Sequence, residues 1–267
     1  MKIRAIALNT FVSLVHNKII ILFSAIFVAV ILLMMTPLLA YKAMATRETA
    51  SEVQSMAIGL VGVIMSIVSG FGSWLSAWAG ADAVWSEMKS GTILAVMARP
   101  VRRWEFLLGK YLGVQMLMCT YVVCMFALSY LLSSMGGAKI HSSPWVLLVY
   151  PLVRYAAYSA IAMLLVMFMH PVVAFAVVLV ISTLASIVPP WTGAIPLGPM
   201  WFRKILYAVL PSTHLLSEAR FLTITQAQLK TVAWTSHLIA LAYGLDYALV
   251  ILLLAMWVFS SRSLLRD

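Results

Sequence analysis

The sequence predicts an all-α, polytopic membrane protein with six transmembrane helices. Three observations carry that reading. Uncharged apolar runs of about 18 residues or more recur along the chain, close to the length a helical span needs. Hydrophobic residues make up 64% of the chain and charged ones 10%, a balance that a soluble core of this size does not require. Strand-like alternation is absent, and a backbone in hydrocarbon must satisfy its own hydrogen bonds, so the runs read as helices.

Residues 1–18 place Ile3, Ile6, Thr10, Leu14 and Val15 on one side and Arg4, Asn9, Ser13, His16 and Asn17 mostly on the other. This predicts an amphipathic helix on the membrane surface, with a plain polar lead-in to the first span as the alternative. Lys2, Arg4 and Lys18 mark this end as cytoplasmic. A cleavable leader is not expected, because the apolar run starts only near residue 19 and is too long. The first span is read from Ile19 to Ala40. A short loop of mixed charge follows (Lys42, Arg47, Glu48, Glu52), and the second span runs from Met56 to Ala81. Along it Gly59, Gly62, Ser66, Gly70, Ser73, Ala77 and Gly80 form a stripe at helical spacing, so another helix can approach closely. A helix-packing face is the plain reading, and a small-residue lining for a substrate path is the sharper one.

Residues 82–110 form a charged cytoplasmic loop carrying Glu87, Lys89, Arg99, Arg102, Arg103, Glu105 and Lys110. The loop reads as two helices and a hinge. Ser90 and Gly91 loosen the first helix, Pro100 suits the first turn of the second, and Trp104, Leu107, Leu108 and Tyr111 follow at helical spacing. The third span is Tyr111 to Met135, and Gly136, Gly137 and Lys139 begin a short outer loop. The fourth, Trp145 to Met169, holds Arg154. A tight turn at His170 and Pro171 makes the fifth, Val172 to Val188, its antiparallel neighbour.

Residues 189–237 are read as a long outer loop, irregular through PPWTGAIPLGP, with WFRKILYAVLP and SEARFLTITQAQL as short interfacial helices. The sixth span, His237 to Phe259, contains Asp246, and Arg262 and Arg266 follow it. This layout puts ten Lys and Arg inside, seven outside and one in a span, which favours cytoplasmic termini. Arg154 and Asp246 each lie nine residues into an inward-running span, roughly 13 Å deep at 1.5 Å per residue. Matching depth predicts an intramembrane charged pair. Separate contacts with water or backbone carbonyls are the alternative.

The net charge of +10 sits in loops flanking the spans, so it speaks for orientation and anionic headgroups and not for nucleic acid. Cys119 and Cys124 fall within one span and read as core thiols, neither disulfide nor metal ligands. No phosphate-binding loop is present: Gly109-Lys110 is followed by Tyr111 and lacks the upstream glycine and downstream hydroxyl. His16, His141, His170, His214 and His237 are scattered, no H-E-x-x-H occurs, and His214 with Glu218 reads as a surface pair. No G-x-S-x-G elbow exists. The chain is therefore expected to hold no catalytic residues, no metal and no cofactor of its own.

Glu87, the SGT of Ser90 to Thr92, Arg99-Pro100, Arg103 and FLLGKYLG from Phe106 to Gly113 follow one another in an order similar to the cytoplasmic signature of ABC-2-type (type V exporter-like) transporter permeases. The resemblance extends over essentially the whole chain, including the amphipathic start, Leu210-Pro211 in the outer loop and the tyrosine-rich last span. Where family members often carry two adjacent acids, this chain has Ser86-Glu87. The resemblance implies a permease subunit that dimerises, as a homodimer, and binds two copies of a separate ATPase. ATP and magnesium would lie on that partner. It also implies a coupling helix at Glu87 to Met97, with Glu87, Met88, Ser90, Gly91, Thr92, Ile93, Leu94, Met97, Arg99, Pro100 and Arg103 as the ATPase contact. A multi-pass protein of a prokaryotic cell membrane is the implied setting. A secondary transporter, or a non-transporting anchor or assembly factor, are the competing classes. The substrate, whether lipid, amphipathic drug, peptide or none, is not legible.

Overall fold

The computed structural model describes residues 2–44, 50–90, 102–136, 144–187 and 234–261, together with Leu210, Pro211 and Leu216. Apart from Leu210, Pro211, Leu216, Arg102 and the connections at 16–17 and 166–170, they form seven helices: α1 Lys2–Val15, α2 Lys18–Met44, α3 Ala50–Ser90, α4 Arg103–Gly136, α5 Pro144–Leu165, α6 Pro171–Ile187 and α7 Trp234–Ser261. Among the described residues three helical stretches are long and apolar enough to cross a membrane: Arg103–Leu128, Leu148–Leu165 and His237–Ser261. A fourth is added if α1 and the start of α2, bent by 59° at their junction, count as one span. The predicted interfacial helices of the outer loop lie outside the described residues, apart from buried Leu210 and Pro211 at the end of the first; buried Leu216 lies between the two.

α3 continues past Ala81 as one helix to Ser90, where the sequence reading loosens the first helix of the loop, and the next helix, α4, starts at Arg103, ahead of the apolar run. Charge marks where hydrocarbon ends, not where a helix ends. Residues 82–90 contain neither proline nor glycine, so nothing local stops the helix. At the other end Arg102 and Glu105 start α4 in capping-box fashion, the Arg102 N–H donating to the Glu105 carboxylate at 2.9 Å.

The core lies between α3, α4 and α5, where Ala77, Val84, Leu107, Val114, Ala160 and Met163 are sealed from solvent. α7 packs on α5 through a narrow stripe of Ala240, Gly244, Ala248 and Ala255. α6 follows α5 after the turn at 166–170, as expected, but packs mainly on α3, with Phe175 edge-on to Trp78 and His170 against Trp85.

The small-residue stripe of α3 is only partly a seam. Ser73, Ala77 and Gly80 are buried, and a Cβ at Gly80 would stand 2.7 Å from the carbonyl oxygen of Ser159 on α5. Ser66 and Gly70 are exposed instead. The surroundings of Gly59 and Gly62 lie outside the described residues. Gly72, off the stripe, is the glycine on which the Tyr155 and Tyr121 side chains close. The two cysteines also depart from expectation: both are free, but Cys119 and Cys124 are exposed on α4. The residues around them explain this, since α4 turns Val114, Leu117, Met118 and Val122 inward.

The inner face of α1 was predicted to meet the membrane surface, and in the structure it is taken by α4. Ala7, Thr10 and Leu14 are buried there, while Val15, expected on that side, is exposed with Leu8 and Val12. Close approach depends on two glycines one turn apart. A Cβ at Gly113 would meet the Ala7 carbonyl oxygen at 2.7 Å, and one at Gly109 would meet the Ile6 Cβ at 2.8 Å.

Candidate functional site

The predicted coupling segment is seen at its two ends. Glu87, Met88 and Ser90 belong to the last turns of α3, and Arg103 is the first residue of α4. Gly91, Thr92, Ile93, Leu94, Met97, Arg99 and Pro100 lie outside the described residues. The ends are not loose. The Lys110 ammonium donates to the Glu87 carboxylate at 2.6 Å, the one ion pair among the described residues. Lys110 is 4% exposed, so loss of that carboxylate would leave a buried charge without its ion-pair partner. The resemblance implies Glu87 as an ATPase contact; here its partly exposed carboxylate pairs with Lys110.

The first turns of α4 touch nearly everything else. Arg103 Nη1 donates to the Ser260 carbonyl of α7 at 3.1 Å, and Phe106 stacks on Phe259 of the same helix with centroids 6.0 Å apart. The Lys110 ammonium sits 5.6 Å from the Phe106 ring centre. Toward α5, the Tyr111 hydroxyl donates to the Ala156 carbonyl at 3.2 Å and Gln115 Nε2 donates to Ser159 Oγ at 2.8 Å. With Gly109 and Gly113 against α1 and Lys110 on α3, this stretch is a hub for four other helices.

A second polar contact adjoins it. Asn17, between α1 and α2, donates from Nδ2 to Asp82 Oδ2 at 2.7 Å. Burial pushes the Asp82 carboxyl up from its ordinary range, against the opposite pull of the Asn17 hydrogen bond and the Lys110 charge. Sequence reading placed Asn17 on the polar side of the expected N-terminal helix and passed over Asp82. The available signal was spacing: Asp82 lies one helical turn before Ser86, the position where the family signature would carry its second acid.

Arg154 and Asp246 are not brought together. Arg154 Nη2 donates to the Ser69 hydroxyl and, at 3.4 Å, to the Ser69 carbonyl of α3, and the guanidinium lies 5.5 Å from the Tyr155 ring centre. Asp246 is on the exposed side of α7. Equal spacing from the expected span starts carries no information about azimuth. Asp246 is two residues from both Gly244 and Ala248, which face α5, and two residues turn roughly 200° around a helix. In place of a pair, the structure predicts independence. Arg154→Met should cost about 1.5–3 kcal/mol through its lost charged hydrogen bonds, and Asp246→Leu about 0.5 kcal/mol or less. Unfolding of the purified protein in mixed micelles should show the double variant additive within about 0.5 kcal/mol; a larger coupling would reinstate the pair.

A search of the curated proteins found no match. The family model described as ABC-2 family transporter protein matches residues 4–264, from α1 through the hub to the end of α7. With its apolar helices and that match, the chain belongs to the ABC-2 family, as a multi-pass permease subunit of an ABC transporter.

Proposed function

We propose that this permease is the part of an exporter through which a separate ATPase drives translocation, or conformational work, across a prokaryotic cell membrane. α2 to α7 are the six spans, α1 is the cytoplasmic amphipathic helix, and both termini are cytoplasmic. The partner ATPase, in two copies, binds ATP and magnesium, and a second copy of this chain completes the membrane unit. The chain itself is not an enzyme. The ATPase contact is the segment Ser90 to Pro100, with Met88 and Arg103 at its margins and Gly91, Thr92, Ile93, Leu94, Met97 and Arg99 within it. Glu87 is its anchor.

The observation that supports this reading is the Glu87–Lys110 ion pair together with the Arg103 bond to Ser260. Both margins of the segment are tied into helices. A push on it therefore reaches the bundle before side-chain motion can absorb it. With the purified ATPase and permease in proteoliposomes, Gly91→Pro is expected to reduce ATPase activity to that of the ATPase alone. Proline removes an N–H and clashes with the preceding turn of the expected coupling helix. Full stimulated activity in that variant would overturn the assignment.

A further inference from the structure

We propose that Asn17 and Asp82 are positioning residues for coupling: they form a clasp that holds the α1–α2 elbow on α3, so that α2 moves with the hub. The proposal rests on the coupling role argued above.

Asn17 uses both ends of its amide. Oδ1 accepts from the Ile19 N–H at 2.9 Å and caps α2, while Nδ2 donates to Asp82 at 2.7 Å. The elbow is itself ordered around this residue: Asn17 N–H donates to the Leu14 carbonyl, and Ile21 N–H donates to the Asn17 carbonyl, each at 3.0 Å. Only a side chain with an acceptor and a donor on one short stem can cap the helix and bind the carboxylate together.

The clasp closes a ring of three contacts. α1 is seated on α4 by Gly109 and Gly113, α4 is tied to α3 by Lys110 and Glu87, and α3 returns to the elbow by Asp82. Elsewhere α2 meets the bundle through apolar contacts: Phe27 on Phe71 and Tyr121, Phe23 on Phe175, and the buried Ile20 and Ile31. In lipid such contacts have little hydrophobic drive and can slide, whereas a charged hydrogen bond fixes register. Without the clasp α1 would follow α4, and α2 would be free to shear.

A reciprocal exchange tests this. Asn17→Asp keeps an α2 cap but sets a carboxylate against Asp82, and adding Asp82→Asn restores the bond with donor and acceptor reversed. Two measurements are made after Cys119 and Cys124 are replaced by alanine. The first is the spin-label distance between Leu22 on α2 and Ser86 on α3, both exposed, in the permease alone. The second is stimulated ATPase activity with the partner present. Asn17→Asp should broaden the distance distribution and lower stimulation about five-fold, the size of one hydrogen bond. The exchanged pair should return both to near wild type, and Asp82→Asn alone, which keeps an acceptor without the charge, should fall between wild type and Asn17→Asp. If Asn17→Asp does not accumulate, accumulation of the exchanged pair is the recovery expected. Unchanged distances and activity in Asn17→Asp, or no recovery on exchange, overturn the clasp. Distances that broaden and recover while wild type stimulates no ATPase leave the clasp standing and reject the coupling reading.

Discussion

Glu87→Leu is expected to destabilise the permease by about 3–5 kcal/mol, and Lys110→Met added to it should restore most of that loss. The asymmetry follows from the burial of Lys110 at 4% exposure. Removing the carboxylate strands an ammonium between α3 and α4. Removing both charges leaves two apolar side chains in an apolar setting, which is often neutral. Glu87→Gln should fall between, since it keeps an acceptor at 2.6 Å without the charge. Equilibrium unfolding of the four proteins in mixed micelles gives the cycle. Losses that simply add would mean that the pair contributes nothing beyond its separate residues. The coupling assay separates stability from function: a doubly substituted protein that is stable but no longer stimulates the ATPase would show that the tie itself is needed.

Gly80→Leu should be the most disruptive single substitution on α3. The obstacle at Gly80 is main chain, the Ser159 carbonyl oxygen at 2.7 Å and its Cα at 2.9 Å, so no rotamer change can relieve it. α3 and α5 must separate, at a cost of about 3 kcal/mol or more. Gly70 provides the control, because a Cβ there meets nothing within 4 Å. Gly70→Ala should stabilise by up to about 1 kcal/mol through helix propensity alone. Equal stability of Gly80→Leu and Gly70→Leu would refute the seam.

The class of fold was open to sequence reading because hydrocarbon imposes length and apolarity on every span. The continuity of helices was less so. Residues 82–90 read as the first helix of the loop, loosening at Ser90-Gly91, yet contain no residue that separates it from the second span, and α3 runs through both to Ser90. The site was half visible. Glu87 and Lys110 both stand in the recognised signature, but their pairing spans 23 residues and an undescribed connection, and only the fold reveals it. Asn17 and Asp82 are 65 apart and belong to no motif, so nothing linear joins them. For Arg154 and Asp246 the spacing along the chain carried no direction: a partner one turn along α7 from Ala240, at Gly244, would face α5, and Asp246 cannot.

The length of α3 has a mechanical meaning. Its 41 residues make a rod about 60 Å long, twice the thickness of the hydrocarbon layer. The contact of Gly80 with the Ser159 backbone sits off-centre, about 15 Å from the Ser90 end and about 45 Å from the Ala50 end. Pivoted there, α3 is a lever with unequal arms. A displacement of about 1 Å at its Ser90 end would swing the Ala50 end by about 3 Å in the opposite sense, so a small stroke at one end of the helix becomes a threefold larger one at the other.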